Sequence, residues 1–387
     1  MRRRKILYVV NHAAFFVSHR LPLALAARES GYDVELITGQ PGSVSMEEPA
    51  VVALEAARIK HSRVAFGSAS INPFIELYGL VQLIRRIALS RPDLVHCASP
   101  KGLLYGGIAA RLCRVSALVL AVSGMGYAFT DASRRTLLRT AIGKLYRQFV
   151  GYAMNHRNCT IIVQNLDDRS SLLSSGRARK ESVELIPGSG VRLDDFLDAQ
   201  IELKSSFVLL PARMLFDKGV LEFVEAVQLI KHLVPGWRFV LAGAADYRNP
   251  TAIPQESLVE WQTEGIVEWL GHVEQIAPYF RDASIVCLPS YREGMPKVLL
   301  EAAAAGCAIV TTDAVGCREA IVPGQTGELV PVRNSQSLAD TLLALIRDRG
   351  RRERYGKAGR ELAIAKYSID AVVVKTNQIY EKLLLNV

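Results

Sequence analysis

One pattern, run through twice, limits what this chain can fold into: short β-rich apolar segments alternating with helical stretches. The first run comprises Lys5 to Val10, Asp33 to Thr38, Leu94 to Cys97, Leu118 to Ser123 and Thr160 to Gln164. The second comprises Phe207 to Leu210, Phe239 to Gly243, Val267 to Leu270, Ile285 to Pro289 and Ala308 to Thr312. Such alternation predicts α/β architecture, with parallel sheets covered by helices on both faces. Ile186-Pro187-Gly188-Ser189-Gly190-Val191 and the polar stretch to Ser206 separate the runs, and turn formers cluster there. Ile369 to Leu385 carries an apolar repeat at helical spacing. These marks divide the chain into 1–195 and 196–366, both Rossmann-like, and a terminal helix, 367–387. Open parallel sheets bind ligands beyond the carboxyl ends of their strands. Two such domains facing one another are expected to place the chemistry in a cleft.

The composition agrees. With 387 residues, half of them apolar, the chain can bury a core in each of two domains. The six cysteines form no CxxC pair and have no histidine at zinc-ligand spacing. They are expected to be buried, reduced thiols of a cytoplasmic protein. Met1-Arg2-Arg3-Arg4-Lys5 imitates the head of a signal peptide, but Asn11 and His12 cut the apolar run at Ile6 to Val10 short, as a first strand would require. The stretch from Leu118 to Phe129 is too short and glycine-broken to span a bilayer. A formal charge of +9 suits nucleic acid, an anionic membrane or a phosphorylated ligand. No zinc finger, RRM or helix-turn-helix signature accompanies it, so no nucleic-acid partner is expected.

The most informative segment is Ser290-Tyr291-Arg292-Glu293-Gly294-Met295-Pro296-Lys297-Val298-Leu299-Leu300-Glu301, after a buried strand and before an Ala-rich helix. A helix starting near Gly294 would put Glu301 roughly 12 Å along the axis from Glu293, at about 1.5 Å per residue. Paired carboxylates in glycoside hydrolases stand roughly 5 to 9.5 Å apart. These two suit opposite ends of one extended ligand instead, such as a nucleotide sugar. Amides at the helix start would meet its sugar or phosphate. The plainer alternative is a surface helix with two solvated glutamates.

A second cluster, Pro211-Ala212-Arg213-Met214-Leu215-Phe216-Asp217-Lys218-Gly219, puts two cations at a strand's carboxyl end. Fixed Arg and Lys donors stabilise the charge that develops on a departing nucleoside diphosphate. A solvated loop with an Arg213–Asp217 ion pair is the alternative. No Asp-x-Asp triplet occurs in the chain, so neither a metal nor any other cofactor is expected.

Together these segments resemble the retaining glycosyltransferases of family 4, with the GT-B fold, often described as glycosyl transferases group 1. The family's late signature stands here as Glu293, Gly294, Pro296 and Glu301, and its phosphate pair as Arg213 and Lys218. Further likenesses are Ile186 to Val191, Leu270-Gly271-His272-Val273 and Gly316-Cys317-Arg318-Glu319. The resemblance implies catalytic roles for Arg213 and Lys218 on the diphosphate and for Glu293 on the donor sugar, with Glu301 on the ribose. Gly271, His272 and Val273 would flank the base, and Gly294, Met295, Pro296, Lys297 and Val298 would complete the donor site. It also implies a terminal helix crossing back onto the first, acceptor-binding domain, and front-face attack without a protein nucleophile.

Asp93-Leu94-Val95-His96-Cys97-Ala98-Ser99-Pro100-Lys101-Gly102 and the Gly-Cys-Arg-Glu segment look most like bacterial enzymes that extend capsule, O-antigen (lipopolysaccharide) or other lipid-linked glycans. The implied partners are a nucleotide sugar, UDP-linked by resemblance, and a polyprenyl-diphosphate-linked glycan. The implied acceptor side involves Asn11, His12, His19, Ser123 and Gly124. Many members carry a histidine where this chain has Ser123-Gly124-Met125-Gly126-Tyr127; His19 or His96 is a candidate to replace its contact. A nucleotide-sugar epimerase and a non-catalytic binding scaffold are the alternative functions. Between Arg134 and Arg157, apolar residues at helical spacing alternate with Arg134, Arg135, Arg139, Lys144 and Arg147. That amphipathic pattern is expected either to face the core or, with the basic N-terminus, to hold the protein peripherally on the inner membrane.

Overall fold

Ile6 to Val10 are all buried, as a strand covered on both faces requires. In the computed structural model, which describes residues 3–41, 44–67, 72–124, 146, 148–246 and 249–385, they form β1 (Lys5–Val10). The other strands of its sheet are β2 (Asp33–Gln40), β3 (Lys60–Gly67), β4 (Leu94–Ala98), β5 (Ala117–Val122), β6 (Cys159–Val163) and β7 (Val183–Leu185). All pairings are parallel, in the order β3-β2-β1-β4-β5-β6-β7. One face packs Ile6, Tyr8 and Val10 against Val372, Ile379 and Tyr380 of the helix Ile369–Leu385. The other packs Leu7 and Val9 with Leu83 and Ile87 of the helix Pro73–Ser90. That helix starts where Asn72 accepts from the Phe74 amide at 3.0 Å and Pro73 fills the first position.

The first unit, Met1–Ser189, is completed by Asp370–Val387; the second is Gly190–Ile369. In the first, the Tyr380 hydroxyl lies 2.8 Å from that of Tyr8 and 2.6 Å from His96 Nδ1, wholly buried. At the sheet's other side, Glu35 accepts from Lys60 at 2.7 Å, Lys5 at 3.0 Å and Ser90 at 2.5 Å. Burial pushes its carboxyl up, but those three donors outweigh burial and bring its pKa down to about 2.

The second unit contains β8 (Ser205–Pro211), β9 (Arg238–Ala242), β10 (Glu268–Trp269), β11 (Ala283–Leu288), β12 (Ala308–Thr312) and β13 (Gly327–Val330). Their order, β10-β9-β8-β11-β12-β13, repeats the first six positions of the other sheet. Val208, Leu210, Phe223 and Leu342 belong to the core on one face, and Leu209, Val286, Leu299 and Ile309 to that on the other. Within this unit the incoming and outgoing segments lie side by side: the Val191 amide bonds to Tyr367 O at 2.8 Å and the Ile369 amide to Val191 O at 2.9 Å. Gly190, at φ +82°, has no room for a side chain there, since a Cβ would stand 2.7 Å from Ile369 Cα.

The α/β class and the parallel sheets stand as expected, and three strands appear that the apolar pattern does not mark: β3, β7 and β13. Each lies at a sheet edge, where one side is unpaired and burial is partial. The helix expected from Gly294 begins at Lys297, because Gly294 to Pro296 are used in a buried turn below it. Five cysteines are buried and unpaired, while Cys113 is only half-buried. Most of the amphipathic segment from Arg134 to Arg157, and Met125 to Tyr127, lie outside the described residues. Among those described, no helix is long and apolar enough to cross a membrane.

Candidate active site

In each sheet the chain reverses its direction of winding at the centre, between β1 and β4 and between β8 and β11. At such a point the loops leaving two neighbouring strands diverge and open a crevice. The loops after β8 and β11 carry the sequence-derived residues Arg213, Lys218 and Glu293.

They are brought together in part. Lys218 Nζ pairs directly with Glu293 Oε1, and Ser290 Oγ donates to the same oxygen at 2.8 Å. Both charged side chains are mostly buried, 18% and 15% exposed. Lys218 reaches Glu293 because Gly219, at φ +72°, lets its loop lie against Pro289; a Cβ there would stand 2.2 Å from Pro289 O. The Tyr291 amide then donates to Asp217 O at 3.0 Å and ties the two loops. Behind them, the Glu293 amide bonds to Val315 O at 2.9 Å. Gly316 (φ +80°) completes the turn, where a Cβ would meet Glu293 O at 2.4 Å. The carboxylate is therefore fixed by backbone on both sides.

Arg213 is placed differently. Its Nη1 lies 2.9 Å from Asp246 Oδ2, with 54% of the side chain exposed. The alternative pairing with Asp217 is not formed: Asp217 Oδ1 accepts from Thr251 Oγ1 at 2.7 Å. Asp246 follows β9, 33 residues away, and no local signal in the sequence points to it.

Glu301 lies one turn into the helix Lys297–Ala304, paired with Lys297 at 3.1 Å. Burial pushes its carboxyl up, and Lys297 pulls it partly back. Gly294, Met295 and Pro296 are buried; Val298 is half-buried against the core of that face. The amino end of the helix is thus made by Lys297, Val298 and Leu299, not by Gly294. The loop after β10 holds Gly271 at φ +66°, exposed His272 and half-buried Val273, and Gly271 O accepts from the Gly243 amide at 2.8 Å. Sequence reasoning also missed a brace beneath the Glu293 loop: Tyr291 donates to Glu222, and the Arg333 guanidinium sits 4.6 Å from the Tyr291 ring centre. Burial pushes the Tyr291 phenol up, so it stays a donor.

In the first unit Asn11 follows β1, and its Oδ1 accepts from Ser99 Oγ at 2.8 Å and from the Lys101 and Gly102 amides at 3.1 Å. It pins the loops on either side of that sheet's reversal point. His12 Nδ1 accepts from the Phe15 amide at 3.2 Å and caps the helix Ala13–His19. Buried Glu47, missed from the sequence, accepts from the Ala13 and Ala14 amides at 2.9 and 3.3 Å. His19 stacks on Phe15 at 4.7 Å, while Ser123 and Gly124 directly follow β5. His96 is 1% exposed and bonded to Tyr380. Burial first, and Arg20 next, hold its imidazole well below its ordinary pKa. Among the described residues no cluster of three His, Cys, Asp or Glu side chains is placed to hold a metal ion.

Two parallel sheets of the same central order, with cations and a braced carboxylate at the reversal point of the second, define the GT-B class of glycosyltransferase. Residues 206–348 match the family described as glycosyl transferases group 1, and residues 5–165 match glycosyl transferase 4-like. Both matches are to glycosyltransferases, and the chain is a glycosyltransferase. It is 26% identical over 393 aligned residues (98% of this chain, 99% of the relative) to an N,N'-diacetylbacillosaminyl-diphospho-undecaprenol alpha-1,3-N-acetylgalactosaminyltransferase of Campylobacter jejuni. To the capsular polysaccharide biosynthesis glycosyltransferase CapM of Staphylococcus aureus it is 23% identical, over 80% of this chain and 82% of that one. Among solved structures, Anabaena Alr3699/HepE in complex with UDP superposes with a TM-score of 0.76 at 17% identity, over 99% and 100% of the two chains.

Proposed function

We propose that this glycosyltransferase moves a sugar from a UDP-sugar onto a polyprenyl-diphosphate-linked glycan in surface-polysaccharide assembly, with retention of configuration and without a metal. The observation that carries this reading is the Lys218–Glu293 pair at the reversal point of the second sheet, with Arg213 on the same loop. A leaving UDP gains negative charge as the glycosidic bond breaks, and prepositioned cations stabilise that charge more than they stabilise the ground state. Arg213 is exposed and held by a single acid, so it can turn to the diphosphate at little cost. Glu293 is braced against movement and suits positioning a sugar hydroxyl rather than attacking carbon. In this reading the donor's own phosphate oxygen takes the acceptor's proton. Glu301, beyond Lys297 on the same helix, suits the ribose hydroxyls.

The lipid-linked acceptor is supported by the relative that acts on a diphospho-undecaprenol, and UDP by the neighbour that binds it. Peripheral attachment to the inner face of the cytoplasmic membrane is supported by the helix Pro73–Ser90. Its outer face exposes Phe74, Leu77, Tyr78 and Val81 at one-turn spacing, followed by exposed Arg85 and Arg86. The test is transfer of radiolabel from a panel of UDP-sugars to a bacterial lipid extract. Labelled lipid is expected. Conversion of the donor to its epimer without acceptor, or binding without turnover for every donor, would overturn the assignment.

A further inference from the structure

Arg20 lies outside the site described above and is not accounted for by it. It sits between the helices Ala13–His19 and Leu21–Glu29 and is only 4% exposed. A guanidinium taken out of water needs a counter-charge or a full set of acceptors. Among the described residues no carboxylate pairs with it. Its Nη1 donates to His19 O at 2.9 Å, and Nε has no partner. Nearby, His96 Nε2 is likewise buried and without a partner. Both residues line one small cavity, together with Val122, Ile162, Gln164 and Thr376. Val122 ends β5 and Gln164 directly follows β6, so the cavity lies towards the carboxyl end of the sheet, the end at which ligands bind in such folds. Its free space is about that of one oxygen-sized group.

The Tyr8–Tyr380–His96 chain can run in either direction, and one of them makes His96 Nε2 a donor. If Tyr8 donates to Tyr380 and Tyr380 to His96 Nδ1, every buried phenol proton is used and the imidazole carries its hydrogen on Nε2, directed at the cavity. Two N–H donors without partners, one of them cationic, then line the space, with Gln164 and Thr376 as its other polar walls.

We propose that this cavity is an oxyanion subsite of the first unit, in which Arg20 Nε and His96 Nε2 together receive one terminal oxygen of a phosphate group. A phosphate oxygen supplies the missing charge and accepts both bonds, whereas water supplies only the second. Two sources share this chemistry: the diphosphate of the lipid-linked acceptor and free inorganic phosphate. Naming the first as the natural ligand rests on the acceptor reading above; the subsite itself does not.

The wild-type protein provides the first test. Crystals soaked in selenate, a heavier tetrahedral oxyanion, are expected to show an anomalous peak within bonding distance of Arg20 Nε. In thermal shift at fixed ionic strength, inorganic phosphate and pyrophosphate are expected to raise the wild-type melting temperature and to lose that effect in Arg20→Gln. In transfer assays Arg20→Gln is expected to raise KM for the lipid-diphosphate acceptor by on the order of tenfold, the loss of one charged hydrogen bond, with KM for the nucleotide sugar unchanged. A selenate peak and a phosphate effect with unchanged acceptor KM support the subsite and assign it to the free anion. No peak at Arg20 in the wild type, or an equal phosphate effect in a folded Arg20→Gln, overturns it. The selenate and phosphate arms need no transferase activity, so they decide the subsite even if the acceptor reading fails, and the wild-type soak decides it even if the variant does not fold.

Discussion

Replacing Lys218 and Arg213 separately by alanine is expected to give the same catalytic loss by two structurally different routes. Lys218 and Glu293 form a mostly buried pair, with Ser290 Oγ as the other partner of the carboxylate. In Lys218→Ala that carboxylate keeps one neutral donor and loses its cation, a destabilisation of about 1 to 3 kcal/mol. Arg213 and Asp246 are 54% and 36% exposed, so Arg213→Ala is expected to cost less than about 1 kcal/mol of stability. On the reaction, each variant removes one cation from a leaving diphosphate, a loss of roughly 100- to 1,000-fold in kcat. Urea unfolding followed by tryptophan fluorescence measures the first quantity, and initial rates of UDP release at saturating donor and acceptor measure the second. Adding Glu293→Gln to Lys218→Ala is expected to cost less than the two singles added together, because the groups act as a pair. A kcat within about threefold of wild type in both alanine variants would refute the diphosphate role, whatever their stabilities.

Further consequences can be checked in the same way. Gly316→Ala forces a Cβ to 2.4 Å from Glu293 O at a positive φ, so it is expected to lose about 1 to 3 kcal/mol of stability and most of its turnover; unchanged kinetics would show that the position of Glu293 does not matter. Glu35, with its pKa lowered to about 2, contributes stability that is full above the ordinary carboxylate value of about 4.3 and is lost as pH falls towards 2. Glu35→Gln is expected to flatten acid unfolding in that window, by about 1 to 2 kcal/mol after allowing for screening, and an unchanged acid limb contradicts this. Flotation with anionic vesicles at low salt is expected to recover the wild-type protein, and a Phe74→Ser, Leu77→Ser double variant is expected to stay in solution. A wild-type protein that fails to float removes the peripheral-membrane proposal.

The central strands were legible because their residues are buried on both faces and read as unbroken apolar runs, as at Ile6 to Val10 and Ile285 to Leu288. The edge strands were not. In β3 only Val64 and Phe66 are buried, β7 has three residues, and the middle of β13 is half-buried. With so few residues forced inwards, little periodicity is imposed on the sequence. At the candidate site, residue types and their strand-end positions could be read, but partners could not. The Lys218–Glu293 contact joins residues 75 apart and Arg213–Asp246 joins residues 33 apart, and both follow from strand order rather than from local spacing. The helix starts three residues later than the sequence predicts, because Gly294-Met295-Pro296 lies before its first turn. Pro296 stands immediately before the helix, with extended backbone.

The closing of the first sheet by Ile369–Leu385 has a consequence for biosynthesis. Tyr8 leaves the ribosome 372 residues ahead of Tyr380, yet each holds the other's hydroxyl in a common core. Until Ile369–Leu385 emerges, the apolar surface around Ile6, Tyr8 and Val10 has only part of its cover, from Phe16, Leu23 and Ala24, while the second unit, contiguous from Gly190 to Ile369, has all of its chain. The domain made first is therefore the last to mature, and a polypeptide stopped before residue 370 should present a native second unit beside an unfinished, aggregation-prone first one.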